Sequence, residues 1–374
     1  MEFRDLKAQY QHHKEEIDDA IRRVLSNGGF IGGAPVRELE EKLAEYVGVK
    51  HCITCANGTD ALQLALMAWG IGPGDAVFVP DFTFFSSAEV VPVVGATPVF
   101  VDIDADTYNM SPDSLEKAIQ YVHNSTDLRP RAIVAVDLFG QPADYDRIRK
   151  IAQQYDLFLL EDAAQGFGGS IRGKRACAFG DISTTSFFPA KPLGCYGDGG
   201  AVFTDHDEWA ALLRSYCVHG KGADKYDNVR IGMNSRLDTI QAAVLLKKLA
   251  FFDEETEKCN RVAAEYNRLL AGYVKTPVVA SGMYSGWAQY TIRLEDEQHR
   301  EDAMQRLKDA GIPTAVYYKK PLHKQEALKD YAVSELDYHV TEQTCRSCLS
   351  LPMHAYLETG EIEKICEMIK SGIS

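Results

Sequence analysis

The feature that most restricts the fold of this chain is a regular alternation of short apolar runs with helical patterns, between about residue 14 and residue 250. The runs are rich in β-branched and aromatic residues, which favour strands. Continuously apolar strands that alternate with helices indicate a mostly parallel sheet covered on both faces, and therefore an α/β fold. The predicted strands are HCITCA, DAVFVPDF, TPVFVDI, RAIVAVDLF, LFLLEDAA, DISTTSFF and GAVFTD.

The pattern changes near residue 250, where a long helical stretch predicts helices that are joined or bent around Phe251 and Phe252. The shorter helical and strand patterns that follow indicate a smaller α+β unit. Because 374 residues exceed the usual size of one small domain, we expect a large domain over 1–250 and a small domain over 251–374. The boundary is expected to lie within a helix that both domains share.

The charge balance excludes some classes of partner. The formal net charge is −14, which argues against a nucleic-acid-binding or anionic-membrane surface, so neither partner is expected. The chain contains no run of about 18 apolar residues, so no membrane-spanning helix is predicted. The first residues mix acids and bases and contain no apolar signal core, which predicts a cytoplasmic protein.

Nine cysteines are present, and their odd number together with the absence of an export signal predicts reduced thiols. Two CxxC spacings occur, at Cys52–Cys55 and Cys345–Cys348. Two such pairs can build a zinc site. Each pair, however, lies in or next to a predicted strand, so we expect no metal site.

The turn ANGTD follows the first predicted strand and opens a helix. Asn57, Gly58 and Thr59 offer a tight turn, a helix N-cap and free backbone N–H groups. A helix N-terminus of this kind binds anions such as phosphate. Plain helix capping accounts for the same residues, so the turn alone leaves both interpretations open.

Two acidic residues, Glu161 and Asp162, end the predicted strand LFLLED. Ligands of parallel sheets bind at the carboxyl ends of strands, so one of these carboxylates can orient a cationic ring nitrogen. The other can be a capping or structural acid. Gln165 follows three residues after Asp162, and it can return to the same pocket and hydrogen-bond a ligand oxygen.

One lysine, Lys191, lies in the otherwise apolar and turn-forming stretch SFFPAKPLG. Apolar surroundings disfavour the charged form of an amine, so the neutral nucleophile becomes accessible and can form a Schiff base. A loop lysine taken singly is more often a surface residue. Combined with an anion-binding turn and a strand-end aspartate, however, Lys191 completes the set that pyridoxal 5'-phosphate (PLP) requires for its phosphate, ring nitrogen and aldehyde.

An aromatic ring over the plane of such a cofactor is also expected. The stretch VPDFTFFSSAEV follows a predicted strand and supplies Phe82, Phe84 and Phe85. Phe84 is our candidate for stacking, and at least two of the three are expected to be core residues.

With these residues assembled, the chain resembles the DegT/DnrJ/EryC1/StrS family of sugar aminotransferases. These are fold-type-I PLP enzymes that act on nucleotide-linked keto sugars. The resemblance implies a large domain with a mostly parallel seven-stranded sheet between helices, followed by a smaller C-terminal α+β domain. It covers nearly the whole chain and rests on eight motifs in order: FIGGAPVRELEEKLAEYVGVKH, ANGTDALQLAL, DFTFFSSAEVV, EDAAQGFG, SFFPAKPLGCYGDGGA, GMNSRLDTIQAAVL, GIPTAVYYKKPLHKQ and LSLPMH.

The resemblance implies a role for each candidate residue. Lys191 corresponds to the lysine that forms the Schiff base, and Asp162 to the partner of the pyridinium nitrogen. Gln165 corresponds to a residue near the phenolic oxygen of the cofactor, and Phe84 to the stacking aromatic.

The phosphate of the cofactor, by the same resemblance, contacts Gly58 and Thr59 of the turn and the hydroxyl of Ser186. Family members also receive an asparagine from a neighbouring subunit, and Asn234 in GMNSRLD fits this position. The resemblance therefore implies a homodimer with shared active sites.

The implied reaction is a ping-pong transamination with glutamate as the amino donor. Lys191 shuttles a proton between the substrate carbon and the aldehyde carbon of the cofactor. Asp162 keeps the ring nitrogen protonated, so that the ring accepts electrons.

The chain looks most like the branch of the family that aminates C3 of a UDP-linked 3-keto-N-acetylglucosaminuronate. Arg236 resembles the arginine that this branch directs at the sugar carboxylate, a task that suits a bidentate guanidinium. The alternative is that NSRLD is a shared helix-start motif and Arg236 is structural. Tyr318 and His323 are further candidates for contact with the nucleotide phosphates or the sugar.

Other functions stay open at this point. Within the enzyme class, the acceptor can instead be a 4-keto-6-deoxy nucleotide sugar or a cyclitol ketone. Dehydration is disfavoured because related dehydratases usually replace the lysine with histidine. A regulatory protein on the same scaffold is disfavoured because every cofactor position is filled, and a nicotinamide enzyme because the glycine fingerprint is absent.

Overall fold

The computed structural model describes residues 1–224 and 226–372, and within them the strands form one large sheet and two small ones. The small sheets contain β10–β6–β7 and β11–β12. In chain order the strands are β1 (His51–Cys55), β2 (Asp75–Pro80), β3 (Thr97–Val101), β4 (Arg129–Val136), β5 (Phe158–Asp162), β6 (Ser170–Ile171), β7 (Lys174–Arg175), β8 (Ile182–Ser186), β9 (Gly200–Thr204), β10 (Met283–Tyr284), β11 (Tyr290–Arg293) and β12 (Cys348–Leu351).

The large sheet has seven strands in the order β1–β9–β8–β5–β4–β2–β3. Strand β9 runs antiparallel to both of its neighbours, and the other neighbouring pairs are parallel. Each of the seven predicted apolar runs contains most or all of one of these strands, so the prediction of a mostly parallel α/β sheet is confirmed. The reason is that the strands are buried on both faces, which makes their sequences apolar without alternation.

Helices cover both faces of this sheet and continue into the C-terminal part of the chain. Short 3-10 turns occur at Leu138–Gly140, Leu322–Lys324 and Lys329–Tyr331. The α-helices are α1 (Leu6–His12), α2 (Lys14–Asn27), α3 (Ala34–Val47), α4 (Gly58–Ala68), α5 (Ser86–Val93), α6 (Pro112–Ser125), α7 (Tyr145–Gln154), α8 (Asp207–Tyr216), α9 (Thr239–Leu270), α10 (Glu297–Asp309), α11 (His339–Ser347) and α12 (Thr359–Lys370).

Helix α9 corrects one expectation. The sequence predicted helices joined or bent around Phe251 and Phe252, whereas the structure has a single helix of 32 residues. Its sequence contains no glycine or proline, so nothing in it interrupts the backbone hydrogen bonds. The first half packs Leu245 and Phe252 against the core below the large sheet. The second half packs Tyr266 and Leu270 into a separate C-terminal core.

The C-terminal core is built from the second half of α9, strands β11 and β12, and helices α10 and α12. Tyr290, Leu307 and Ile365 are completely buried in it. This arrangement is the predicted α+β unit. The position of the boundary at residue 250 stays a prediction, because α9 belongs to both cores.

The N-terminal residues lie against this C-terminal unit. The Met353 N–H donates to the carbonyl oxygen of Phe3 (3.0 Å), and the rings of Phe3 and Tyr317 are in edge contact. All nine cysteines are buried free thiols. Among the described residues, no helical segment combines the length and the apolar character that a membrane crossing requires.

Candidate active site

A cavity of about 580 Å³ lies at the carboxyl ends of β4, β5 and β8. These three strands are parallel neighbours, so their ends meet at one edge of the sheet. The turn before α4 forms one wall, the loop between β2 and α5 a second, and the loop after β8 a third. Residues of the C-terminal unit form the remaining wall.

Lys191 lies in the loop after β8, and its side chain lines the cavity. The loop is held in a tight conformation, because the Lys191 N–H donates to the Phe188 carbonyl oxygen (2.8 Å). This tight conformation also requires glycine at position 194, because a Cβ on Gly194 would lie 2.4 Å from the carbonyl oxygen of Pro189. The sequence therefore directs the lysine into the cavity from a rigid loop.

Asp162 is the last residue of β5 and is buried at the cavity floor. Its Oδ2 accepts a hydrogen bond from Ser87 Oγ (2.7 Å), and its Oδ1 accepts one from the Ala164 N–H (3.2 Å). Burial raises the pKa of Asp162, and these two hydrogen bonds and the charge of Lys191 oppose the shift. The hydrogen bonds favour the carboxylate, which suits it to pair with a cation.

Burial shifts the pKa of the Lys191 amine in the opposite direction to that of Asp162. Burial lowers its pKa, the Asp162 carboxylate opposes the shift, and the charge of Arg4 adds to it. The neutral amine is therefore more accessible than in an exposed lysine.

Gln165 and Tyr318 form a hydrogen-bonded pair at the side of the cavity. Gln165 Nε2 donates to the Tyr318 hydroxyl (3.2 Å), and Gln165 Oε1 accepts from the N–H of Phe139 (2.9 Å). Tyr318 lines the cavity, and its ring lies 6.4 Å from that of Phe84, centre to centre. Phe84 is half exposed at the cavity edge, a position open to a stacking partner.

The turn before α4 has the geometry of an anion site. Asn57 caps the helix, with its side chain accepting from the Asp60 N–H (2.8 Å). Gly58 faces Ser186 so closely that a Cβ on the glycine would lie 2.7 Å from the serine Cβ. The Thr59 hydroxyl hydrogen-bonds to Ser86 Oγ (2.8 Å). Hydroxyl groups and helix N–H groups thus line one end of the cavity.

Asn234 and Arg236 do not line the cavity of this chain. Both are exposed, on the segment that leads into α9. The residue between them is buried, and its hydroxyl accepts from the N–H of Ala56 (3.0 Å). The segment is therefore anchored beside the anion-binding turn, while its two polar side chains lie on the surface.

His323 does not line the cavity of the single chain either. Its ring is buried, with Nδ1 2.6 Å from Asp81 Oδ2 and Nε2 3.4 Å from Glu342 Oε1. Its backbone N–H donates to the other Asp81 oxygen (2.8 Å). Burial raises the pKa of Asp81, and His323 opposes that shift. The ring and backbone N–H of His323 therefore both contact the buried carboxyl group of Asp81.

Comparison with known proteins agrees with this geometry. The model of the DegT/DnrJ/EryC1/StrS aminotransferase family matches residues 11–370. A Pseudomonas aeruginosa relative named UDP-2-acetamido-2-deoxy-3-oxo-D-glucuronate aminotransferase is 48% identical, over 98% of each chain. The crystal structure of a DegT DnrJ EryC1 StrS aminotransferase from Brucella abortus is 51% identical, with a TM-score of 0.98 over 100% of both chains.

The chain belongs to the DegT/DnrJ/EryC1/StrS aminotransferase family.

Aminotransferases of this family use PLP. A Streptococcus pneumoniae relative solved in its PLP form is 26% identical to this chain, with a TM-score of 0.88 over 96% of each chain. The cavity of the present chain also has the residues that PLP requires. A hydroxyl-lined turn that excludes a Cβ at Gly58 suits the phosphate, Asp162 suits the ring nitrogen, and Lys191 suits the aldehyde.

Some residues of this aminotransferase site were not predicted. Ser87 holds Asp162, Ser86 joins the hydroxyl group of the turn, and Tyr317 lines the cavity beside Tyr318. The paired serines in SSAEVV are a usable signal, because two buried hydroxyls at the start of an apolar helix need hydrogen-bond partners. No comparable signal indicates Tyr317.

Proposed function

We propose that this chain transfers an amino group from glutamate to C3 of a UDP-linked 3-keto-N-acetylhexosaminuronate, and that it acts as a homodimer. The meeting of Lys191, Asp162 and the Gly58 turn in one cavity supports the aminotransferase chemistry. The name of the Pseudomonas aeruginosa relative supports the choice of sugar.

Bound PLP supplies an aldehyde that takes up an amino group and a ring that accepts electrons. With PLP held by these residues, the Lys191 amine, whose neutral form is favoured by burial, would accept a proton from the substrate carbon and donate it back. The same amine would serve both half-reactions. Asp162 would pair with the ring nitrogen and keep it protonated.

The remaining cavity residues hold and orient the reactants. Gly58, Thr59 and Ser186 provide N–H and hydroxyl donors for the phosphate. The Gln165–Tyr318 pair provides donors at the side of the ring, and Phe84 provides an aromatic face. We infer that Tyr318 also contacts the sugar, since it lines the cavity beside Phe84.

We infer that Asn234 and Arg236 act in the active site of a second subunit. Their exposure in the single chain leaves both side chains available for this role. Apolar side chains flank the same segment: Phe30 and Ile31 are about half exposed, and Ile231 is 89% exposed. The Thr239 N–H donates to the Phe30 carbonyl oxygen, which joins these residues to the start of α9. Exposed apolar residues of this kind mark interaction surfaces.

The cofactor spectrum, followed through both half-reactions, tests the proposed function. Glutamate is expected to convert the bound cofactor to its amino form, and only an accepted keto sugar should reverse the change. The panel includes the UDP-3-keto-uronate, its neutral 3-keto counterpart, a 4-keto-6-deoxy nucleotide sugar and a cyclitol ketone. Lys191→Ala should abolish turnover, whereas Lys150→Ala, at an exposed position on α7, serves as the matched control. Normal turnover by Lys191→Ala would refute the mechanism.

A substitution tests the carboxylate of the sugar. Arg236→Met should raise KM for the uronate by about tenfold or more, because a bidentate charge-assisted contact is lost. KM for the neutral 3-keto sugar should change little. Equal changes in KM for both sugars would show that Arg236 does not read the carboxylate.

A further inference from the structure

An arginine at the N-terminus contacts the backbone of the catalytic loop. Arg4 Nη2 donates to the carbonyl oxygen of Lys191 (3.1 Å) and to that of Pro192 (3.3 Å). The two partners are 187 and 188 residues away along the chain. Residues 3–9, here called the N-terminal arm, thus reach the loop, and none of them lines the cavity.

The N-terminal arm is fixed in place by buried polar contacts. Gln9 Nε2 donates to Glu255 Oε2 (2.6 Å), and the other oxygen of Glu255 accepts from the Tyr356 hydroxyl. At its other end the arm is bonded through Phe3 to Met353. Arg4 therefore has a defined position between α9 and the loop.

The titratable groups around Arg4 come from three elements. Helix α9 contributes Glu255, Cys259 and Lys248, the C-terminal unit contributes His354 and Tyr356, and the arm itself contributes Asp5. Burial lowers the pKa of Arg4, while Cys259 and Glu255 oppose the shift. Guanidinium groups stay protonated in proteins, so Arg4 is a fixed positive charge.

Two charged groups act on the Lys191 amine, one at the end of β5 and one in the N-terminal arm. Asp162, at the end of β5, stabilises the protonated amine, and Arg4 destabilises it. Without Arg4, no positive charge would oppose the effect of Asp162 on the Lys191 amine. The negative charge of Glu255 would also lose a nearby cation. Both changes favour the protonated amine, so they act in the same direction.

We propose that Arg4 is a positioning residue for Lys191: it holds the carbonyl oxygens of Lys191 and Pro192, fixes the direction of the amine, and places a positive charge near it. This inference rests on the proposed role of Lys191 in catalysis. It assigns a function to the N-terminal arm, which lies outside the cavity.

The first measurement uses the cofactor-free, full-length chain. Trace labelling with acetic anhydride, read for the Lys191 peptide by mass spectrometry across a pH series, reports the neutral fraction of the amine. Arg4→Met should shift this labelling profile to higher pH, because the opposing charge is lost. Arg4→Lys should restore the profile, since Nη2 alone makes both contacts and a lysine ammonium also has several donors.

The second measurement uses the PLP-loaded enzyme. Displacement of the Lys191 amine should slow the reaction more than it weakens the binding of glutamate. Arg4→Met should therefore lower kcat by about tenfold to a hundredfold. KM for glutamate should stay within about threefold of the wild-type value, as expected for a group that acts on the reacting amine. Arg4→Lys should recover most of kcat.

Two control variants distinguish the proposed role of Arg4 from a general loss of positive charge and from a general loss of packing in the arm. Lys7→Met removes one cation from the same arm, at a side chain that is 87% exposed. Gln9→Ala breaks the buried contact with Glu255 but keeps Arg4. Lys7→Met should not shift the labelling profile of Lys191, and Gln9→Ala, which keeps the guanidinium, should shift it less than Arg4→Met does. Thermal unfolding of each variant shows whether the fold is kept.

The proposal is overturned if Arg4→Met labels with the wild-type profile, or if Gln9→Ala shifts the profile and lowers kcat as much as Arg4→Met does. Labelling requires neither cofactor nor sugar. Failure of this inference is therefore distinguishable from failure of the proposed function, which Lys191→Ala decides.

Discussion

Gly58 and Ser186 approach each other at the end of the cavity where the phosphate is expected. Gly58→Ala would place a Cβ 2.7 Å from the serine Cβ, closer than real side chains approach. The turn must then move away from Ser186, which separates the N–H donors from the hydroxyl. We expect the affinity for PLP to fall by about tenfold or more, since several charge-assisted hydrogen bonds are misaligned together.

Fluorescence titration of the cofactor-free chain with PLP measures this affinity. Gly72→Ala is the matched control, because a Cβ there would meet only the Val94 carbonyl oxygen at an ordinary 3.6 Å. Unchanged PLP affinity in Gly58→Ala would argue against a phosphate site at this turn.

The contrast between Lys191 and His323 shows which site residues a sequence reveals. Lys191 and Asp162 each follow or end a recognisable strand, and neighbouring parallel strands bring their ends together, so local patterns predict both. His323 pairs with Asp81, 242 residues away. Nothing near either residue in the sequence indicates that pairing, so only the structure reveals it. Ser87 was missed because its role depends on its contact with Asp162, 75 residues away.

At the scale of elements, a buried pair of acids links the ends of β4 and β5. Glu161 accepts hydrogen bonds from the N–H groups of Cys177 (2.6 Å) and Phe179 (2.7 Å) and from Ser183 Oγ (2.7 Å). These donors stabilise Glu161 as the anion. Burial raises the pKa of Asp137 well above its ordinary value, and the charge of Glu161 raises it further. We therefore expect Asp137 to be the protonated member of the pair, beside the Glu161 carboxylate.

Asp137→Asn tests this assignment. The asparagine can keep the contacts that Asp137 Oδ1 accepts from the Ala143 N–H (3.0 Å) and Tyr145 Oη (2.8 Å), and its amide can donate to Glu161. The folded protein binds the Asp137 proton more tightly than the unfolded chain does. Its contribution to stability is therefore complete below the unfolded pKa and is lost as pH rises toward the folded pKa.

The substitution removes this pH-dependent loss. The free energy of unfolding of Asp137→Asn, relative to wild type, should rise between pH 5.5 and 8.5 by at most about 1.4 kcal/mol per pH unit. Urea unfolding at both values measures it. Asp127→Asn, at an exposed carboxylate before β4, should show no such trend. If Asp137→Asn destabilises equally at both pH values, Asp137 is ionised in the folded protein.

Elements of the sheet and elements of the helices differ in how well the sequence predicts them. The seven strands of the large sheet are short apolar runs between turns, and burial on both faces makes each of them locally distinct. Helix α9 contains the bulky pair Phe251–Phe252, which suggested a bend. In the structure Phe252 packs into the core and Phe251 stacks on His13, so the helix accommodates both rings without a break. Such packing partners are not visible in a local sequence window.

At the scale of the whole molecule, two residues that were predicted to bind the cofactor and the substrate do not line the cavity of the single chain. Asn234 and Arg236 are exposed beside the turn, and exposed apolar residues flank their segment. A two-fold symmetric dimer buries the same patch of both subunits and thereby brings such residues into each other's sites. The proposed dimer accounts for both the exposed side chains and the apolar surface.

Heterodimers with two different tags decide whether the sites are shared. One subunit carries Lys191→Ala and the other Asn234→Asp, which places a carboxylate where phosphate is expected. If Asn234 acts across the interface, both changes fall in one site and the second site is intact. The purified heterodimer should then show about half of the wild-type activity, while both mutant homodimers are nearly inactive. If Asn234 acts within its own chain, each site has one defect, and the heterodimer should be as inactive as the homodimers.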